Sequence, residues 1–155
     1  VQYVEGNILR LEKGLIIHQV NCHGVMSKGA SGSIQTKWPR VFEEYVKACE
    51  KLSPKGCLGC VQFVDVTSSL VVANSFSQLD YGDPRVTGEV YTDVDKLVEN
   101  IIYSIHSYPM LPAYVPYGIG AGWGGASWPE IEFRISHLNV NVMRLPKGGA
   151  GQGGA

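Results

Sequence analysis

The chain has 155 residues, 45% of them hydrophobic and 17% charged. That is one domain with enough apolar surface for a core, which excludes wholesale disorder. With 13 Lys and Arg against 14 Asp and Glu, the net charge is −1. This excludes coating nucleic acid or an anionic membrane through bulk charge, and no apolar run reaches the ~20 residues that cross a bilayer.

Val1–Glu5 lacks the basic-then-apolar pattern of a secretory signal. Residues 2–5 read as a short strand ending at Gly6-Asn7. Leu15–Val20 is an apolar, β-branched run of strand length. A glycine-punctuated loop follows from Asn21 to Gly32, then a helix that breaks and restarts at Trp38-Pro39. In the restarted part Val41, Phe42, Tyr45, Val46, Cys49 and Leu52 share one helical face. Ser53–Gly56 reads as a turn, Val61 to Val66 as a strand, and Leu70–Asn74 as a buried strand. Thr67-Ser68-Ser69 between them has hairpin length, so the sheet is expected to be mixed. Ser75 to Tyr91 shows no periodicity and reads as loop.

Thr92 is the expected cap of the most regular helix, with Asp95 three residues on and an apolar stripe of Val94, Leu97, Val98, Ile101, Ile102 and Ile105. Pro109 ends it. Ala113–Tyr117 reads as a strand, and Gly118–Gly125 as a second glycine-rich loop. Ser127 and Glu130 form a capping box for a last helix bearing Trp128, Ile131, Ile135 and Leu138. Val140 and Val142 belong to a closing strand, and 147–155 reads as a flexible glycine-rich tail. Strands alternate with helices, so the expected architecture is α/β, a central sheet with helices on both faces.

Four cysteines, at 22, 49, 57 and 60, are too few for a disulfide scaffold, so a reducing cytoplasm is the expected setting. Cys57–Cys60 is a lone C-x-x-C without a second ligand pair. No His, Asp or Glu cluster has ligand spacing, so neither metal nor cofactor is expected. The two glycine-rich loops share one design, since each leaves a strand and enters a helix. Such loops let backbone approach a ligand and offer helix N–H groups to an anion, so they read as a phosphate or pyrophosphate cradle. Gly120, Gly122 and Gly125 fit G-x-G-x-x-G, but no acid follows Glu132, which excludes a dinucleotide Rossmann site. Gly24 and Gly29 have P-loop spacing, but Ala30-Ser31 stands where Lys-Ser/Thr is required.

Blocks in consistent order carry a resemblance. They are Tyr3–Leu9, Ile17–Met26 (IHQVNCHGVM), Lys37–Glu43 (KWPRVFE), Asn74–Gln78 (NSFSQ), Tyr91–Asp93 and Val115–Gly122 (VPYGIGAG). Together they resemble the macrodomain family, in particular its short stand-alone members similar to ADP-ribose 1''-phosphate phosphatases. The resemblance implies a three-layer α/β/α fold over 1–146 with a central mixed six-stranded sheet. It implies ADP-ribose or a derivative as ligand, and ADP-ribosylated macromolecules as further partners.

Carried over residue by residue, Gly6, Asn7 and Ile8 would hold the adenine, with the Asn7 amide oxygen accepting from its amino group. Family members often have Asp there. Asn21 would reach the distal ribose. Gly24, Val25, Met26, Ser27, Lys28, Gly29 and Ala30 would wrap that ribose and its phosphate. Gly118, Ile119, Gly120, Ala121, Gly122, Trp123 and Gly124 would hold the pyrophosphate, with Tyr117 before them. Ser75 and Phe76 would pack near the ribose or adenine, although a Phe after an apolar strand equally fits plain core. Trp123 fits a lid over the ligand or an anchor for its loop.

For chemistry the resemblance singles out His18 and Asn21 as the catalytic pair. As a residue on a strand, His18 also fits a buried neutral imidazole. Related ADP-ribosyl-protein glycohydrolases carry a catalytic Asp in the second loop, where this chain has Gly124, and no acid lies between Tyr117 and Ser127. Ser27 replaces a usual glycine, and Ser31-Gly32 replaces more apolar helix residues. Three functions follow in order: hydrolysis of ADP-ribose 1''-phosphate, a binding or sensing module for an NAD-derived nucleotide, and ADP-ribosyl glycohydrolysis.

Overall fold

The computed structural model describes residues 1–26 and 28–147; Ser27 and the tail at 148–155 lie outside the described residues. In chain order the elements are β1 (Gln2–Glu5), β2 (Gly14–Asn21), α1 (Gly29–Lys37), α2 (Pro39–Lys51), α3 (Pro54–Cys57), β3 (Val61–Asp65), β4 (Leu70–Gln78), α4 (Pro84–Thr87), α5 (Val94–Ser107), β5 (Ala113–Pro116), α6 (Trp128–Ile135) and β6 (Asn141–Arg144). One sheet of six strands runs in the order β1-β6-β5-β2-β4-β3. Every pairing is parallel except β3 with β4, the expected hairpin.

The period-2 alternation of β2 and β4 divides the core into two layers. Ile16 and Val20 of β2 and Val72 and Phe76 of β4 pack beneath Ile34 of α1 and Val41 and Tyr45 of α2. Leu15, Ile17, Val71 and Ala73 face the other way, onto Leu97 and Ile101 of α5 and Ile131 and Ile135 of α6. Each fully buried Val, Leu, Ile or Phe among them contributes about 1.5–3 kcal/mol through the apolar surface it removes from water. The sheet thus lies between two helical layers, the three-layer mixed architecture expected.

Several elements differ from expectation for physical reasons. β4 runs on to Gln78 instead of ending at Asn74, because the polar residues of its second half are buried and paired. Ser77 Oγ donates to Gln19 Oε1 at 2.8 Å, and Asn100 Nδ2 donates to Ser75 Oγ at 3.0 Å. Asp93, not Thr92, caps α5, its carboxylate accepting from Lys96 N–H. Thr92 is already committed, since its hydroxyl donates to Gly120 O at 2.7 Å and it bridges to Gln78. Short helices replace the turn after Ser53 and part of the 75–91 loop, capped by Ser53 and Asp83. The break between α1 and α2 falls at Trp38-Pro39, and Ser127 caps α6, both as expected. No described helix is long and apolar enough to cross a membrane.

Candidate ligand-binding site

A cavity of about 370 Å³ opens beyond the carboxyl ends of β2 and β4, where open α/β sheets bind ligands. β2 contributes Gln19, Val20 and Asn21 to its wall. The loop into α1 contributes Val25, Met26 and Lys28, and the first turn of α1 adds Ser31. Gln78, Tyr81, Gly82 and Asp83 come from the end of β4 and beyond, and Trp123 from the second glycine-rich loop.

Asn21 is 8% exposed, and its amide holds the first loop in shape. Nδ2 donates to Val25 O at 2.7 Å, and Oδ1 accepts from His23 N–H at 2.9 Å. The Tyr45 hydroxyl reaches up from α2 to within 2.8 Å of both the Asn21 carbonyl and Oδ1. Tyr45 is fully buried, and desolvation raises its pKa, so the phenol stays protonated and can donate. The sequence pattern shows Tyr45 only as part of an apolar stripe. Its hydroxyl is a positioning group that periodicity does not detect.

His18 is fully buried between two side chains. Nδ1 lies 3.0 Å from Ser31 Oγ, and Nε2 lies 2.5 Å from Asn74 Oδ1. Burial lowers its pKa to about 4, although the Asn74 hydrogen bond acts the other way. The imidazole is therefore neutral at pH 7. It does not line the cavity; its neighbour Ser31 does, so the imidazole stands one side chain behind the wall. Ser31 is 4% exposed, and its Oγ also lies 2.7 Å from Gln19 O.

Trp123 forms part of the mouth, half-buried. Lys28 Nζ stands 4.9 Å from its ring centroid and Arg85 Cζ stands 5.2 Å away. Asp83 holds Arg85 by two hydrogen bonds of 3.1 Å, and that pairing keeps its carboxyl below the usual range. Nearby, His23 Nε2 meets Asp80 Oδ1 at 2.8 Å, and the His23 ring stands edge-on to Tyr81. This contact joins the first loop to the segment after β4.

Other residues expected at the site do not line this cavity. Phe76 is 1% exposed and packs on Tyr45 with ring centroids 5.7 Å apart, so its side chain is core and not a ligand platform. Ile8 and Ile119 are core side chains too, and Ser75 is fully buried on the α5 side, bonded to Ser77 and Asn100. For these, burial in a finished layer leaves only backbone for a ligand. Asn7 Oδ1 accepts from Leu9 N–H at 2.9 Å, capping the 3-10 turn Ile8–Arg10. Gly6 ends β1, and Gly24, Gly29 and Ala30 belong to the first loop and the start of α1. Tyr117, Gly118, Gly120, Ala121, Gly122 and Gly124 form the second loop beyond β5, outside the wall of this cavity.

That second loop is fastened by backbone contacts. Gly124 O accepts from Tyr91 and Thr92 N–H at 2.8 and 3.0 Å, and Gly120 O from Ala126 N–H at 3.0 Å. Gly120 has φ +79°, and a Cβ there would stand 2.9 Å from Leu97 Cδ2. Only glycine meets both demands. All four cysteines are free thiols, and burial raises the pKa of Cys22, Cys49 and Cys57. Among the described residues no group of three or more His, Cys, Asp or Glu could hold a metal ion.

A mixed six-stranded sheet between helical layers, with its cavity beyond the central strands, defines the structural class. Within that class the chain has the macrodomain fold. It superimposes on the macrodomain of Mycobacterium tuberculosis DarG with a TM-score of 0.73 at 24% identity, covering 95% of this chain and 97% of that one. It is 26% identical over 136 residues to a DNA ADP-ribosyl glycohydrolase of Mycobacterium tuberculosis, and the match covers 87% of this chain and 37% of that relative. The chain thus spans little over a third of that protein's length. A stretch of 53 residues, 33% of this chain and 30% of the relative, is 34% identical to an ADP-ribose 1''-phosphate phosphatase of Saccharomyces cerevisiae. No protein-family model matches the chain.

Proposed function

We propose that this protein binds ADP-ribose and hydrolyses ADP-ribose 1''-phosphate to ADP-ribose and phosphate. The carrying observation is the composition of the cavity at its α1 end. A cation, Lys28, stands at the N-cap of α1 and a hydroxyl, Ser31, on its first turn. The N–H groups of a helix's first turn lack intrahelical partners and attract an anion. A phosphate on the distal ribose, with Asn21 beside that ribose, suits this end. Free ADP-ribose would leave it filled with water. The two glycine-rich loops would embrace the pyrophosphate and Gly6–Ile8 the adenine. Four free thiols fit a reducing cytoplasmic setting.

A second reading has its own support. The relative matched over most of this chain is a DNA ADP-ribosyl glycohydrolase, which makes removal of ADP-ribose from a modified nucleic acid the competing reaction. Against it stands Gly124, where the resemblance calls for an acid. A receptor without turnover is the third reading, and the same assay separates all three. Phosphorus NMR of ADP-ribose 1''-phosphate with catalytic amounts of protein is expected to show inorganic phosphate growing over multiple turnovers. Shifted pyrophosphate signals without phosphate would replace the phosphatase with a receptor. Release of ADP-ribose from a modified oligonucleotide, with the phosphoester untouched, would replace it with a glycohydrolase.

A further inference from the structure

The inner wall of the cavity ends a chain of hydrogen bonds whose direction can be read from its far end. The carbonyl oxygen of Glu44 only accepts, so Gln62 turns Nε2 toward it, at 2.8 Å. Gln62 Oε1 is left to accept from Asn74 Nδ2, at 3.1 Å. Asn74 therefore presents Oδ1 to His18, and Nε2 must carry the ring's hydrogen. Burial keeps a second proton off the imidazole at neutral pH, so Nδ1 is a bare lone pair. The 3.0 Å contact between Nδ1 and Ser31 Oγ is then made by the serine's own hydrogen. Ser31 Oγ donates the same hydrogen to Gln19 O over the shorter distance of 2.7 Å, so Nδ1 and Gln19 O compete for it. The hydroxyl thus holds one hydrogen between two acceptors, and neither of these partners donates to its lone pairs.

We propose that Ser31 is the nucleophile of this cavity, with His18 Nδ1 as its general base and Asn74 and Gln62 as positioning residues. A nucleophile within hydrogen-bond reach of a base, itself oriented by a third group, is the geometry that activates a hydroxyl. A neutral amide in the third place orients the ring without placing a charge beside it. Ser31 stands on the first turn of α1, where helix N–H groups and Lys28 would meet the charge of a phosphoryl group.

The substrate of this step rests on the phosphatase reading above. Ser31 Oγ bonds to phosphorus as the bond between phosphorus and the 1''-oxygen breaks, and the serine proton passes to His18 Nδ1. The departing 1''-oxygen takes a proton from water. A second water then cleaves the phosphoserine at phosphorus, and His18 returns its proton to Ser31 Oγ as inorganic phosphate leaves.

The test uses a fluorophosphonate probe, which needs no knowledge of the natural substrate. Ser31 Oγ would displace fluoride and form a stable phosphonyl ester, located by peptide mass spectrometry of the wild-type protein. The expected result is a label on Ser31 that saturating ADP-ribose blocks and that forms about a hundredfold more slowly in His18→Gln. In a separate assay Ser31→Ala should lose phosphate release from ADP-ribose 1''-phosphate while still binding ADP-ribose, and Ser31→Gly, which also lacks a nucleophile, serves if the alanine variant does not fold. An unlabelled Ser31, or phosphate release that persists in a folded Ser31 variant, overturns the proposal. A labelled Ser31 in a protein that releases no phosphate upholds the nucleophile and refutes only the phosphatase reading.

Discussion

His18 should make the stability of this protein depend on pH in a calculable way. Folding lowers its pKa from 6.5 to about 4. Unfolding frees the ring, so between these values the unfolded chain binds a proton that the folded chain refuses. Stability is therefore fully present above pH 6.5, falls as pH drops through the window, and levels off below about 4. At pH 4.5 the two pKa values imply a loss of about 2–3 kcal/mol relative to pH 7.5. That is a large share of the ~5–15 kcal/mol that holds a typical domain together. Urea unfolding of the wild type and of His18→Gln at both pH values isolates this part, because the other histidines and the carboxylates are common to both. The wild type should lose about 2–3 kcal/mol more than the variant over that interval. In parallel, the His18 ring resonance should hold its neutral position down to about pH 5. Equal pH dependence in the two proteins, or a ring that titrates near 6.5, would refute both the neutral imidazole and the tautomer argument built on it.

Other substitutions test separate parts of the site. Tyr45→Phe removes the hydroxyl that supports Asn21. It should cost about 1–3 kcal/mol of stability by leaving buried acceptors short of a donor, and calorimetry should show weaker ADP-ribose binding; no change in either would make the contact incidental. Trp123→Ala should weaken ADP-ribose binding about tenfold while moving the unfolding midpoint little, since its cation contacts are worth only ~0.5–1 kcal/mol each. Unchanged affinity would remove Trp123 from the site. Gly120→Ala forces a Cβ into left-handed backbone and against Leu97 and Ile131. It should destabilise by about 2–3 kcal/mol and lower the thermal midpoint by roughly 4–12 °C, and a wild-type melting curve would contradict the packing described for the second loop.

Apolar periodicity made most of the framework legible. The β-branched run before His18 and the stripe from Val94 to Ile105 each dictate an element on their own, and the hairpin length of Thr67–Ser69 announced the antiparallel edge. The misreadings cluster where polar residues are buried. Ser75, Ser77 and Gln78 look like loop in one dimension. They become strand because Gln19, Thr92 and Asn100, all distant in sequence, satisfy them. For the same reason the cap of α5 slipped by one residue, Thr92 being already bonded to the second loop. At the site, glycine spacing located the loops but not the cavity wall. Ser31 looked like a polar intruder in a helix, and Asn74 like the end of a strand. Their relation through His18 exists only once β2, β4 and α1 are brought together.

The boundary between apolar and polar residues in the two central strands carries a functional argument of its own. β2 and β4 pair in register from Gly14 with Leu70 to Val20 with Phe76, and Ile17 faces Ala73 where His18 next faces Asn74. Up to that rung nearly every paired side chain is apolar. Beyond it His18, Gln19, Asn74, Ser75 and Ser77 are all buried, on both faces of the sheet. Buried polar networks strengthen a fold only when every member is satisfied, and apolar residues of similar size would be as stable or more so. Stability therefore gives no reason for the change to occur at the same rung in both strands. Position does, because this is the carboxyl end of the sheet, where the cavity opens. One half of the network, through Asn74 and His18, reaches Ser31 on the cavity wall. The other half, through Ser77, Gln19 and Thr92, reaches the carbonyl of Gly120 in the second loop. The two glycine-rich loops are thus tied to one rigid polar platform, which fixes the distance between the group that would react and the group that would hold the pyrophosphate.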